Sequence, residues 1–462
     1  MDLDIAHKTL KYAESLGAQH AEVRLQTFSY ELIKVDNGIL REYSKTLKLG
    51  AGIRVLYENK LGFSASNIID EEELRKAVEK AIASARVSGE THSIPERRAY
   101  KESLKSPRRI DPDTVDSEEK VKLVMNVNKV ARDIDGIKSS ITYLGIERDR
   151  RYIITSDGIE VDRDTLMTGM LQYVVAAENG RMERVHEQQS RVGGWEFIKD
   201  EDWEEFAQSL SRLAKEAVNA ESPPAGKLRA IADPDLIGLI LHEAFGHASE
   251  GDLVSSGASV LRGKLGSDVA SPHVTIIDDG LIEGGYYVPY DDEGNKKTKT
   301  YVVEEGKLTS YLTGWAWATK LGTPVTGNGR AQDFSHSPIV RQTNFYMEGG
   351  DWSLEELIEE LKEGIYLMGR GAGGGQVDTG AGTFTFSVGP SRIVEKGELG
   401  PLVRGVTVSG YILETLKGVE AVGKEVKIKT SVFGGCGKEG QMVRVGYGGP
   451  NVLIKSITVG GK

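Results

Sequence analysis

The chain has 462 residues, 39% of them apolar, with 58 basic against 69 acidic side chains and a formal net charge of −11 at pH 7. That length holds two or three domains with substantial cores, and the acidic balance, without clustered lysine and arginine, argues against a nucleic-acid partner. One cysteine, Cys436, excludes an intrachain disulfide and fits a reducing cytoplasm, while no stretch approaches the roughly 18 apolar residues of a membrane span.

The first residues, Met1 to Lys8, have neither a basic start nor an apolar run, so no signal peptide is expected. Leu3, Ala6, Leu10 and Ala13 recur at helical spacing over residues 3–16, and Gly17 is the expected stop. A strand follows, with Ala21, Val23 and Leu25 on one face and Glu22, Arg24 and Gln26 on the other. Asp36-Asn37-Gly38 is the signal of a tight hairpin, and a second hairpin is expected around Ile53 to Val55 and Leu61 to Phe63. Residues 70–87 read as a helix burying Leu74, Ala77, Val78, Ala81, Ile82 and Ala85.

Residues 89–116, rich in proline and charge, read as a linker or exposed crossover. A helix over 117–134 leads into strands with turns at Ser156-Asp157-Gly158 and Glu178-Asn179-Gly180. A helix over 201–219 is expected to bury Trp203, Phe206, Leu210 and Leu213, and Ser222-Pro223-Pro224 breaks it. Beyond the break, Asp233-Pro234 starts a largely buried helix carrying Leu236, Ile237, Ile240, Leu241, Ala244 and Phe245. The remainder reads as strand and turn with one clear helix, opened by the capping box Ser353-Leu354-Glu355-Glu356 and stopped at Gly364. The expected class is α+β. An N-terminal α/β unit spans residues 1–90, a linker and central helix-and-strand region 91–222, and a mainly antiparallel β domain 223–462 whose helix carries the chemistry described next.

That helix contains His242-Glu243-Ala244-Phe245-Gly246-His247. Two histidines four apart on a helix differ by about 40° and face one metal, but five apart they differ by about 140°. They share a metal only if the helix is distorted, and a π-type turn bending at Gly246 supplies the distortion. His242 and His247 then offer imidazole nitrogens to a divalent cation, zinc by preference, and Glu243 is the base that takes a proton from an attacking water. The plainer reading of the same residues is a buried helix with two structurally satisfied histidines.

A third ligand is needed. Cys436, in Gly434-Gly435-Cys436-Gly437-Lys438, is one candidate, since flanking glycines let the backbone approach a site, with Lys438 placed to help stabilise a thiolate. Its plainer reading is an inert buried thiol. Glu250 and Asp252 are alternative oxygen ligands, or ordinary solvated acids at a helix end. His273 and His336 lie in the same half of the chain without ligand spacing. Gly371 to Gly375 lacks the Lys-Ser/Thr of a phosphate loop and reads as a turning or flexible loop, and Asp278-Asp279-Gly280 and Asp291-Asp292-Glu293-Gly294 fit hairpin turns better than an EF-hand.

Several further segments follow in order: His242 to His247 continues into Glu250-Gly251-Asp252, and beyond it come Gly327-Asn328-Gly329-Arg330, Arg341-Gln342-Thr343-Asn344, Phe433 to Lys438, Gly446 to Pro450 and Val459-Gly460-Gly461. Together they resemble the TldD family of metallopeptidases, also called the TldD/PmbA or modulator-of-gyrase family. The pattern from Ala21 to Phe63 is similar to the family's N-terminal domain. The resemblance implies a zinc site of His242, His247 and Cys436, with Glu243 as catalytic acid and base. It also implies a catalytic-type subunit that dimerises, with itself or with a related subunit lacking the motif, around a narrow passage admitting unfolded peptides. Short or unstructured polypeptides are the implied substrates. Two other readings stand beside the metallopeptidase: a binding or regulatory protein that cleaves nothing, and a hydrolase with Cys436 as nucleophile and His242 or His247 as its base.

Overall fold

A computed structural model describes residues 3–372 and 374–461; Met1, Asp2, Lys462 and, within the glycine-rich loop, Gly373 lie outside them. Helix α1 (Leu3–Ser15) ends before Gly17, and strands β1 (His20–Asp36) and β2 (Ile39–Tyr57) form the first hairpin. Its turn residues Asn37 and Gly38 have φ of 50° and 78°, the paired positive values that such a turn requires. β3 (Lys60–Ser66) forms the second hairpin, and α2 (Glu71–Val87) starts at Asp70, whose side chain accepts from the Glu73 N–H. It buries the six apolar residues expected of it.

The expected linker is partly structured, because β4 (Tyr100–Lys105) lies parallel to the strand Ile159–Glu178. α3 (Ser117–Arg132), β5 (Ile137–Thr155), β6 (Ile159–Glu178) and β7 (Arg181–Val192) follow, then α4 (Trp195–Asp200) and α5 (Trp203–Val218). In α5 Leu213 is only half-buried, and Ala214 and Ala217 complete the buried face. Among the described residues β1 to β7 make a single seven-stranded sheet, since β1 pairs antiparallel with β5 from Glu22↔Thr155 to Asp36↔Ile141.

β8 (Gly226–Ala232) opens the C-terminal half, near the centre of a nine-stranded sheet, and a six-stranded sheet of the same half contributes Ile276, Phe345 and Met347 to a shared core. The largest core lies here and includes Leu236, Ile237, Ile240, Leu241, Ala244 and Phe245. The chain is α+β with mostly antiparallel pairing. Three short helices, Gly251–Ser256, Trp315–Leu321 and Ile412–Lys417, were not expected, being too brief to display a 3.6-residue period. The helix opened by the Ser353 capping box ends at Leu361, and Gly364 begins a strand instead. Among the described residues no helix is long and apolar enough to cross a membrane.

The two halves meet through charge. Glu22, Arg24 and Gln26, on the polar face of β1, are all buried. Arg54 donates to Glu22 and, at 2.8 Å, to Glu293; Arg151 and Arg163 donate to Asp292 at 2.8 and 3.1 Å. The acidic run at Asp291 to Gly294 is therefore a turn, as its sequence suggests, but a buried one clamped by arginines of the N-terminal sheet.

Candidate metal centre

The site is built on an irregular helix. Asp233 caps it, accepting from the Leu236 N–H at 2.8 Å, and α6 (Pro234–Ile240) is regular. Over Leu241–Gly246 the helix widens to π geometry, and the N–H of His247 donates to the carbonyl of His242, five residues back. A turn of 3₁₀ helix, His247–Ser249, follows. The widened turn brings the two imidazoles to a ring-centroid distance of 5.3 Å. Gly246 itself has an ordinary helical backbone, φ −61° and ψ −49°. It is small for another reason: a Cβ there would stand 2.0 Å from Oε1 of Gln342. The Gln342 amide in turn donates to the His242 carbonyl at 2.9 Å, so the glycine admits the side chain that helps hold the widened turn.

Cys436 enters from the distant hairpin Cys436–Lys438 and Gln441–Val443. Gly435 fits against its partner strand, where a Cβ would lie 2.4 Å from the Val443 carbonyl, whereas Gly437 borders open space. One ligand atom from each of His242, His247 and Cys436 lies within 4.8 Å of the others, and all three residues are buried. The sulfur is 2.9 Å from Nε2 of His247. Burial alone would push the Cys436 thiol up, but the charge and hydrogen bonds of the two imidazoles bring it down to about 5. Burial likewise opposes the charged form of His247, yet Glu250 and the thiolate raise it to about 10.

Glu250 and Asp252 are neither solvated acids nor part of the three-atom cluster. Glu250 is completely buried and holds Nδ1 of His247 at 3.0 Å. Lys438 is 2.9 Å from Glu250 and 2.6 Å from Asp252, so it acts on the carboxylates behind His247 rather than on the thiolate. Despite the burial that would raise it, Glu250 stays well below the usual carboxylate range because Lys438 and His247 face it. His273 is exposed and His336 pairs with Asp333, so neither joins the cluster. Glu243, between the two histidines in sequence, has a side chain that is 35% exposed and an oxygen 3.9 Å from Nε2 of His247.

Three descriptions of one family match in order: PmbA/TldA metallopeptidase domain 1 over residues 21–85, its central domain over 110–219, and its C-terminal domain over 225–461. The chain belongs to the PmbA/TldD metallopeptidase family. A metalloprotease of Methanocaldococcus jannaschii is 39% identical over 93% of this chain and 94% of its own length. A protein of Saccharolobus solfataricus named as a zinc metalloprotease TldD homolog is 30% identical over 98% and 99%. Among solved structures, TldE from Thermococcus kodakarensis superposes with a TM-score of 0.77 at 20% identity, covering 97% of this chain and 99% of that one. A Thermotoga maritima protein described as a candidate modulator of a DNA gyrase gives 0.82 at 20%, covering 99% of both. These two likenesses are of fold.

For this PmbA/TldD member the donor set itself tests the fit of a metal. Nδ1 of His242 is buried without a hydrogen-bond partner among the described residues, beside a thiol disposed to ionise and a second imidazole. Two nitrogens and a thiolate suit a borderline-soft cation such as zinc and leave a fourth, open position. The supporting residues Arg341 and Gln342 received no role from sequence reasoning, and neither did Tyr447. They sit in the segments Arg341 to Asn344 and Gly446 to Pro450 that carry the family resemblance, which was their only signal. Arg341, fully buried, donates to the Cys436 carbonyl and so fixes the hairpin.

Proposed function

We propose that this protein is a zinc-dependent peptidase that hydrolyses short or unfolded polypeptides. The observation that carries the reading is the π turn, which gives histidines five apart a common focus with a distant cysteine. In this reading His242, His247 and Cys436 hold the zinc, and Glu250 orients His247 through Nδ1. Bound zinc would supply Lewis acidity, making a water more acidic and a peptide carbonyl more electrophilic. Glu243, the half-exposed acid, takes the proton of that water and returns it to the departing amine nitrogen. The burial of His242, His247 and Cys436 favours an extended chain over a folded one.

Glu243→Gln preserves shape and removes the base. With zinc content unchanged by elemental analysis, cleavage of quenched-fluorescence octapeptides is expected to fall at least 100-fold, within the range for general acid–base catalysis. Full activity in this variant, or in protein stripped of metal by a chelator, would refute the reading. The short Cys436 to His247 contact favours one second reading, a cysteine hydrolase. Restoration of chelator-treated protein by added zinc separates the two, since a cysteine nucleophile needs no metal.

We also propose that the chain works as a dimer, with itself or with a related subunit lacking the histidine motif. A solved protein named TldE, of the same fold, supports the second pairing. Light scattering of the purified chain, alone and mixed with such a relative, reads the assembly. The mass of single chains in both samples would end this proposal.

A further inference from the structure

His242, His247 and Cys436 are buried, so a substrate must approach past the half-buried groups that border them. Glu243 and Tyr447 are two such groups. Tyr447 lies on the strand Gly446–Gly449, opposite Phe345 on one side and Lys429 on the other. Its ring centroid is 5.9 Å from that of His242. Room for it is made one helical turn before His242, where Gly238 has no side chain; a Cβ there would stand 3.0 Å from Cδ2 of Tyr447 and 2.6 Å from the Gly448 backbone. The neighbouring cation is occupied, since Lys429 pairs with Asp235 and approaches Glu187 at 3.7 Å. The phenol hydroxyl forms no hydrogen bond to any described residue. A ring fixed against the motif helix, with a donor that is free among the described residues, has the form of a group kept for substrate.

We propose that Tyr447 is a catalytic residue of the reaction proposed above, donating a hydrogen bond from its hydroxyl to the carbonyl oxygen of the scissile peptide. The inference rests on the zinc-peptidase reading. As the water oxygen bonds to the carbonyl carbon, the π pair moves onto the carbonyl oxygen and the water proton passes to Glu243. When the C–N bond breaks, its pair leaves with nitrogen, which takes the proton from Glu243. The phenol keeps its own proton throughout and stabilises the charge on oxygen only while it is developed, so its effect falls on the transition state rather than on substrate binding.

Tyr447→Phe removes the hydroxyl and leaves the ring in its place. In the zinc-loaded enzyme kcat on quenched-fluorescence octapeptides is expected to fall about 100-fold, the lower end for loss of one such donor, with KM changed less than threefold. A phosphinic peptide, which mimics the tetrahedral geometry, should bind at least tenfold more weakly by calorimetry. Zinc affinity, thermal midpoint and binding of the carboxylate product peptide should be unchanged. Unaltered kcat and phosphinate binding would overturn the proposal, as would a loss of zinc affinity or stability matching the loss of activity, which marks a structural residue. A wild-type protein that neither cleaves nor binds the phosphinate in a zinc-dependent manner would instead overturn the peptidase reading, and this proposal with it.

Discussion

At the scale of single residues, Glu250 controls how His247 presents itself. The carboxylate is fully buried, 3.0 Å from Nδ1, and is kept ionised by Lys438, which also engages Asp252. A carboxylate in that position fixes the ring and leaves Nε2 directed at the cysteine sulfur. Glu250→Gln retains the shape and the amide oxygen but removes the charge, and Asp252 remains to neutralise Lys438. The variant is expected to bind zinc 10- to 100-fold more weakly, on the order found when such supporting partners are lost. Competition with a chromophoric chelator measures this directly, and an unchanged dissociation constant would show that Glu250 contributes only to the ion cluster.

At the scale of elements, what could be read in the sequence was what is local. α2 was legible because the apolar residues that define its buried face recur within a few residues of one another. The distortion of the motif helix was legible too, because five-residue spacing and a shared metal are incompatible on a regular α-helix. Its support was not. Gly246 suggested a bend, yet it makes room for Gln342, almost a hundred residues away in sequence, and no local pattern announces such a contact. The acids at 250 and 252 were ambiguous for the same reason, since their environment depends on Lys438 arriving from a distant hairpin. Short helices such as Trp315–Leu321, set between Gly314 and Gly322, present too few turns for periodicity to emerge.

At the scale of the molecule, the alternation in β1 correctly separates two faces but not their surroundings, because the polar face meets the C-terminal half rather than water. The junction therefore depends on matched charges. Asp292, 3% exposed, receives Arg151, Arg163 and the Ala331 N–H. Burial opposes its ionisation, but the arginines outweigh burial and hold its carboxyl well below the usual carboxylate range. A folded-state pKa below the unfolded value means that the unfolded chain takes up the proton first as pH falls. The stabilisation is thus complete at neutral pH and erodes only below the ordinary aspartate value of 3.8. Asp292→Asn leaves the buried Arg163 without its carboxylate and Arg151 with Asp149 alone, which is expected to cost roughly 3 to 5 kcal/mol at pH 7. The difference between wild type and variant in chemical denaturation should be constant from pH 7 to about 4.5 and shrink as acid protonates the unfolded aspartate. A difference that grows on acidification, or one absent at pH 7, would mean that apolar contacts rather than this ion cluster hold the halves together.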